Sequence, residues 1–280
     1  PSVFQQVGQG TTLQQVVDPL NATAFVAVRQ SGDADLVPEN SRAFNGGATF
    51  EPLDGLTFDV DYYNFSFENF IVPVNPQALL NADPLDPRVI RAPSPTGTGT
   101  ILQINTSFVN AAAVDTSGID FGARWEIDAG NLGVFTPSFE GTYILTYDLQ
   151  ATPGGPVIDG AGNRNFSNFG ESTPELRFNA GLSWKNGAHG ANLFVRRIGS
   201  YFDDQPAGPD VRIDSDTRVD AQYTLAINEY MGRDQLAQLT IGMRNLTGTT
   251  APFVATNGGF DSRVHDPRGR LLYFGVNLEF

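Results

Sequence analysis

The chain has no cysteine, which excludes thiolate catalysis, cysteine-ligated zinc and a disulfide framework. Lysine is almost as scarce: Lys185 is the single one, so the cations are nearly all arginine. Seventeen Lys and Arg against 31 Asp and Glu leave a net charge of −14. Phosphate backbones attract basic surfaces, so nucleic acid is not an expected partner. A polybasic membrane attachment is excluded on the same ground. No apolar run approaches the roughly 18–20 residues of a membrane-spanning helix. No signal peptide precedes Pro1, so a mature product or a fragment is expected. The two histidines, His189 and His265, fall in a short turn and a long loop, too far apart in the predicted layout for a shared metal. The G-x-S-x-G nucleophile motif is absent and no Ser–His pairing is suggested, so no enzyme and no cofactor are expected.

What the chain does have is Gly, 30, and Phe, 21, with apolar residues at every second position. Thr217, Val219, Ala221, Tyr223, Leu225 and Ile227 share one face, while Arg218, Asp220 and Gln222 share the other. The same alternation sets Leu176, Phe178, Ala180, Leu182 and Trp184 against Arg177 and Asn179. It sets Ile119, Phe121, Ala123, Trp125 and Ile127 against Asp120, Arg124 and Glu126. Phe58, Val60 and Tyr62 oppose Asp59 and Asp61; Phe135, Phe139, Tyr143 and Tyr147 oppose Glu140 and Thr142. Alternate side chains of a strand point to opposite faces, so each segment has one greasy and one wet side.

About nine strands follow from this pattern, at 39–51, 55–70, 101–127, 132–149, 174–186, 190–202, 215–228, 236–247 and 269–280. Short connections (52–55, 128–131, 186–190, 229–234) alternate with long ones (71–100, 150–173, 203–214, 248–268). Residues 1–38 read as a further long loop with one short strand near 24–28. Short turns at one end and long loops at the other mark an antiparallel transmembrane β-barrel. A soluble antiparallel sandwich also alternates. Several strands, however, exceed the roughly 5–6 residues usual in soluble sheets and match the roughly 9–11 that cross a bilayer. Phe50, Trp125, Trp184 and Phe280 fall on the greasy face at the short-turn end, as an interfacial girdle would.

Two places resist the pattern. Arg196 and Arg197 are adjacent, so one of them must face lipid. The pair is expected near the outer rim or at a bulge. Residues 203–216 concentrate five aspartates around Arg212. They read as a solvated acidic loop, with a calcium site as the weaker alternative. Five Asn-x-Ser/Thr sequons, at Asn21, Asn64, Asn105, Asn165 and Asn245, read as chance.

LVPENS (36–41), PLDGLTFDVDYYNFSFENFI (52–71), TSGIDF (116–121), RRIGSYFDD (196–204), RNLTG (244–248) and DPRGRLLYFGVNLEF (266–280) occur in this order. Together they resemble the C-terminal barrel portion of TonB-dependent outer-membrane receptors. RNLTG departs from that family's N-N-L-F-D at Thr247. The resemblance implies a bacterial outer-membrane location and a barrel of about 22 strands around a plug. This chain would supply about nine C-terminal strands in residues 39–280, with residues 1–38 an extracellular loop region. Plug and TonB box are not visible, and an open edge cannot face hydrocarbon. A missing N-terminal segment, or another chain, is therefore expected to close the wall.

The implied function is energised uptake of a scarce small molecule or glycan (siderophore, cobalamin, saccharide or similar), with TonB, outer-membrane lipid and the barrel assembly machinery as partners. Asp59, Asp61, Asp120, Arg124, Glu140, Arg177, Asp220 and Arg244 would line the lumen and contact the plug. Phe274, Val276, Leu278 and Phe280 would form the C-terminal assembly signal. A passive porin or multi-chain barrel, and a soluble adhesion or binding domain, are the alternatives.

Overall fold

The structure is a computed structural model that describes residues 1–95, 97–111, 113–152, 154–205, 211–227, 237–256 and 258–278. In chain order the elements begin with α1 (Val3–Val7), β1 (Gln9–Val16), β2 (Ala24–Ser31), β3 (Asn40–Leu53), β4 (Leu56–Glu68), β5 (Ile71–Pro73), α2 (Pro76–Ala82) and β6 (Val89–Arg91). There follow β7 (Ile101–Asn110), β8 (Ala113–Trp125), β9 (Ile127–Asp128), a 3-10 turn (Gly130–Leu132), β10 (Val134–Gln150), β11 (Val157–Asp159), β12 (Leu176–Asn186) and β13 (His189–Ile198). The last are β14 (Tyr201–Asp203), β15 (Val211–Ile213), β16 (Asp216–Ala226), β17 (Ala237–Arg244) and β18 (Leu271–Leu278).

Nine of these strands form one antiparallel wall, in the order β18-β17-β16-β13-β12-β10-β8-β4-β3. Each lies beside its neighbour in the chain's own order, as hairpin connections require. Among the described residues β3 and β18 each pair on one side only, and every residue of β3 is exposed. The wall is thus an open arc of a barrel.

Its two faces differ as the alternation demands. Phe58, Tyr223 and Phe274 are 43%, 38% and 86% exposed, and among the described residues no second protein layer covers them. Rings of Phe121, Phe139 and Phe178 follow one another across β8, β10 and β12 with centroids 5.6 and 5.2 Å apart. Gly141 lies between Phe121 and Phe178 in the register, and a Cβ there would meet the Phe121 ring at 2.8 Å and the Phe178 Cβ at 2.9 Å. The glycine lets two aromatics close over it. On the other face one hollow of about 620 Å³ is lined by side chains from β4 through β16. Only a concave face can bring six neighbouring strands to one hollow.

Arg196 and Arg197 sit at the long-loop end of β13, and the pairing there runs without a bulge. Arg196 faces the concave side and bonds Asp220 at 2.8 Å. Arg197 shares a register row with Phe178 on the outward face and donates to Thr217 Oγ1 at 2.7 Å. The expected rim position is the one the chain adopts.

Four readings of the sequence change. The segment 101–127 is not one strand: β7 belongs to a separate sheet, and only β8 enters the wall. Residues 1–38, read as a long loop with one short strand near 24–28, hold α1, β1 and β2. Tyr147 does not continue the greasy face, because a bulge between Ile144 and Thr146 inverts the phase of β10. Three aspartates of 203–216 are not solvated: Asp203 bonds Arg164, Asp204 accepts from the backbone N–H groups of Phe166 and Ser167, and Asp216 bonds Arg218, while Asp214 is exposed. Asp210 lies outside the described residues. Among the described residues no cluster of acidic or histidine side chains suited to a metal occurs.

Candidate functional site: the concave face and its rim

Register places the polar positions of neighbouring strands side by side. Asp59 is level with Gly122, Glu140, Asn179, Arg196 and Arg218 along one row. Asp61 is level with Asp120, Thr142 and Arg177 along the next. Asp59, Asp61, Asp120, Glu140 and Arg177 line the 620 Å³ hollow together with Arg196, Asp216, Arg218 and Asp266. Arg124 lines a smaller adjoining hollow with Asp59 and Glu140. Asp220 and Arg244 line a third, of about 600 Å³, again with Glu140. All eight residues singled out from the sequence therefore share one face.

That reading missed Arg196, Arg218, Asp216 and Asp266. Arg218 was recoverable, because it has the same phase as Asp220. Arg196 was hidden by its neighbour Arg197. Asp216 opens β16 in the same phase but was set aside with the acidic loop, and Asp266 belongs to the rim, where alternation carries no information.

Charge on this face is uneven. Asp59, Asp61 and Asp120 occupy β4 and β8, with Arg124 beside them, while Arg177, Arg196, Arg218 and Arg244 occupy β12 to β17, with Asp216 and Asp220 among them. Asp61 and Asp120 are direct register partners, an arrangement that like charges disfavour. Asp59 accepts from Thr49 Oγ1 at 2.8 Å and Asp120 from Thr142 Oγ1 at 2.5 Å. These hydroxyls orient the carboxylates without neutralising them.

Two loop bodies stand at the long-loop end. The first is a five-stranded sheet of β1, β2, β7, β5 and β6 with α2 against it. Val16, Val26, Val28, Leu79, Leu80, Val89, Ile101 and Ile104 form its core. Buried Gln77 reads the backbone of Val17, accepting from its N–H at 2.7 Å and donating to its carbonyl at 2.9 Å. Arg91 grips Asp18 through Nη1 and Nη2 at 2.7 and 2.9 Å. That guanidinium bond, opposed by burial, holds the Asp18 carboxyl at about 2, against an ordinary 3.8.

The second body joins residues 160–173, the β14–β15 hairpin and residues 245–268. Tyr201, Ile213 and Val254 are its apolar centre. Arg164 bonds Asp203 at 2.9 Å, and Asp261 accepts from Ser172 and Tyr201. Burial raises the Asp261 carboxyl, but bonds from Ser172 and the Arg263 N–H, with the charges of Arg263 and Arg164, outweigh it and hold it low. Tyr201 is pushed up by burial and by Asp261. His265 stacks on Tyr201 and meets Asp216 at 3.3 Å. Burial lowers its imidazole against the pull of Asp216. Asn245 starts this loop in a left-handed turn, φ 51°, and braces Thr249 through both atoms of its amide. Asn75 ties the two bodies by donating to the carbonyls of Phe166 and Asn168. Between them a hollow of about 470 Å³ is lined by Phe25, Arg164, Phe166, Phe260 and Arg263.

A family model described as TonB dependent receptor-like, beta-barrel matches residues 1–246. Among solved structures, the siderophore receptor PirA of Acinetobacter baumannii is similar, with 14% identity and a TM-score of 0.58 over 99% of this chain and 36% of that one. A mutant of the ferric enterobactin receptor PfeA of Pseudomonas aeruginosa gives 14% and 0.59 with the same coverage. The iron transporter FrpB of Neisseria meningitidis gives 13% and 0.55 over 89% of this chain and 31% of that one. The chain spans about a third of the length of these structures. At such identities the likeness concerns the fold. Comparison with curated proteins gives no match.

Proposed function

The chain belongs to the TonB-dependent receptor β-barrel family, and from that premise we propose that it forms the C-terminal wall of an outer-membrane transporter for energised uptake of a scarce solute. The observation that carries this reading is the division of one sheet into an exposed apolar face and a concave charged face, under a rim of folded loops. The apolar face meets acyl tails. The concave face lines a lumen that a plug occupies and vacates when TonB pulls. The rim bodies supply the first contact with the solute. Siderophore, cobalamin, saccharide and similar cargoes all fit this scheme.

Asp59, Asp61 and Asp120 form the acidic part of the plug contact and Arg177, Arg196, Arg218 and Arg244 the basic part. The like-charged pair Asp61 and Asp120 supports this, because a cationic plug residue would relieve their repulsion. Phe274, Val276 and Leu278, all exposed in one outward row of β18, support the role of that strand as the assembly signal. Phe280 lies outside the described residues.

The test is deletion of the complete gene, followed by growth under iron, cobalamin or glycan limitation. A growth defect under one limitation, reproduced by loss of TonB, is expected. Uptake that survives without TonB would make the barrel a passive porin.

A further inference from the structure

The outward face carries a recess. Two register rows cross β12, β13, β16 and β17 there: Trp184, Ala191, Tyr223 and Ile241 in one, and Leu182, Leu193, Ala221 and Met243 in the other. Ala191 and Ala221 interrupt these rows on neighbouring strands, at diagonal positions. Large side chains stand on either side, and a hollow of about 430 Å³ opens between them. Leu182, Leu193 and Ile241 on its walls are exposed. At its short-turn end the Tyr223 hydroxyl meets Nδ1 of His189 at 2.5 Å. Nε2 of His189 makes no bond among the described residues. The indole of Trp184, also at that end, donates to Leu132 O at 2.7 Å.

We propose that this hollow is a resident site for one acyl chain of a phospholipid, with its phosphate against His189. The proposal rests on the outer-membrane reading and goes beyond it. A recess bounded by alanine, leucine and isoleucine offers nothing to a polar ligand, and it is continuous with the face that meets hydrocarbon. Lipid tails are as apolar as leucine, so no hydrophobic force holds one tail in preference to another. Shape does: a tail in the recess touches wall atoms on several sides, where a flat face offers one. The second hold is polar. With Tyr223 donating to Nδ1, neutral His189 carries its proton on Nε2, free to donate to a phosphate oxygen. Aromatic rings with polar tips at this level are the usual furniture of the membrane interface. Short turns face the periplasm in such barrels, so the site opens on the phospholipid leaflet.

The complete protein is delipidated in nonionic detergent, reloaded with phosphatidylethanolamine and examined by native mass spectrometry. One phospholipid should be retained. Ala191→Leu with Ala221→Leu fills the recess and should reduce occupancy at least tenfold. His189→Gln should reduce it severalfold. Ala123→Leu, on the outward face away from the recess, should leave it unchanged. The proposal is overturned if the parent protein retains no lipid, if the filled variant retains as much, or if Ala123→Leu loses as much. Retention of lipopolysaccharide in place of phospholipid overturns it too. Should the filled variant not assemble, unchanged retention in His189→Gln decides against it. Uptake measured in the same variants separates failure here from failure of the transport reading.

Discussion

Replacing Asp18 by Asn should loosen the first loop body while leaving the wall intact. The carboxylate is 2% exposed and Arg91 10%. Arg91 binds it through two nitrogens and also donates to the carbonyls of Pro84 and Gly99. Asp18 accepts in addition from the Leu20 N–H at 3.1 Å and from Asn21 at 3.0 Å. Asn can keep one of these bonds but leaves a buried guanidinium without its counter-charge, which costs about 3–5 kcal/mol. If the body opens as one unit, amide protection in β1, β2 and β7 should fall about a hundred- to several-thousand-fold. Hydrogen exchange on the complete protein in detergent reads this directly, with β10 and β12 as internal reference. Asp18→Leu with Arg91→Met removes both charges and should restore most of the protection. The pH dependence has a fixed sign. The folded carboxyl titrates at about 2 against an ordinary 3.8, so its contribution is complete above about pH 5 and fades as pH falls toward 2. The shift corresponds to about 2 kcal/mol. A change below tenfold in Asp18→Asn, or a double variant as loose as the single one, refutes the reasoning.

Gly141→Leu should overpack the ring row of Phe121 and Phe178 and cost about 1–3 kcal/mol, measured as a lower urea midpoint; an unchanged midpoint would mean the rings move aside freely. Asp120→Asn should raise wall stability by roughly 0.2–1 kcal/mol, since it removes one of two opposed carboxylates. The same unfolding experiment on protein without its plug would expose a wrong sign. The His265 imidazole lies below its ordinary value of about 6.5, so its share of stability is complete above that pH and declines as pH drops. Protection of residues 201–203 and 211–213 should therefore weaken between pH 7 and 5, and His265→Gln should flatten that profile.

The wall was legible because each strand has one face for lipid and one for water, and that contrast repeats every two residues. Thr217 to Ala226 carries it without a break, and β16 follows. It failed where geometry changes without changing composition. Nothing in 101–127 announces that β7 leaves for another sheet, because only residues 111 and 112 separate it from β8 and neither is glycine or proline. The bulge after Ile144 uses ordinary strand residues, so Tyr147 stayed in the wrong phase. Alternation alone put Asp59, Asp120 and Arg177 on the face where the register places them. It gave no sign of Asp266, whose carbonyl accepts from Arg218 across the sequence, and Asp216, which Arg218 and the distant His265 hold, was set aside with the acidic loop.

The rim was opaque for a deeper reason. The wall puts its apolar side chains outward, toward acyl tails, and its charges inward. The loop bodies obey the opposite rule: Val16, Val28, Leu80 and Ile104 are buried among themselves, as in any water-soluble domain. One chain thus uses two solvents, and an alternating segment has two meanings according to which solvent it meets. β2 and β7 alternate as a half-buried strand does in either setting, and they pair in parallel, which hairpin-connected wall strands never do. Parallel pairing needs a crossover, here the whole of β3, β4, β5, α2 and β6. The first two strands of the wall are therefore inserted within the loop body, so ordering of that body and closure of β3 on β4 are coupled by chain connectivity alone.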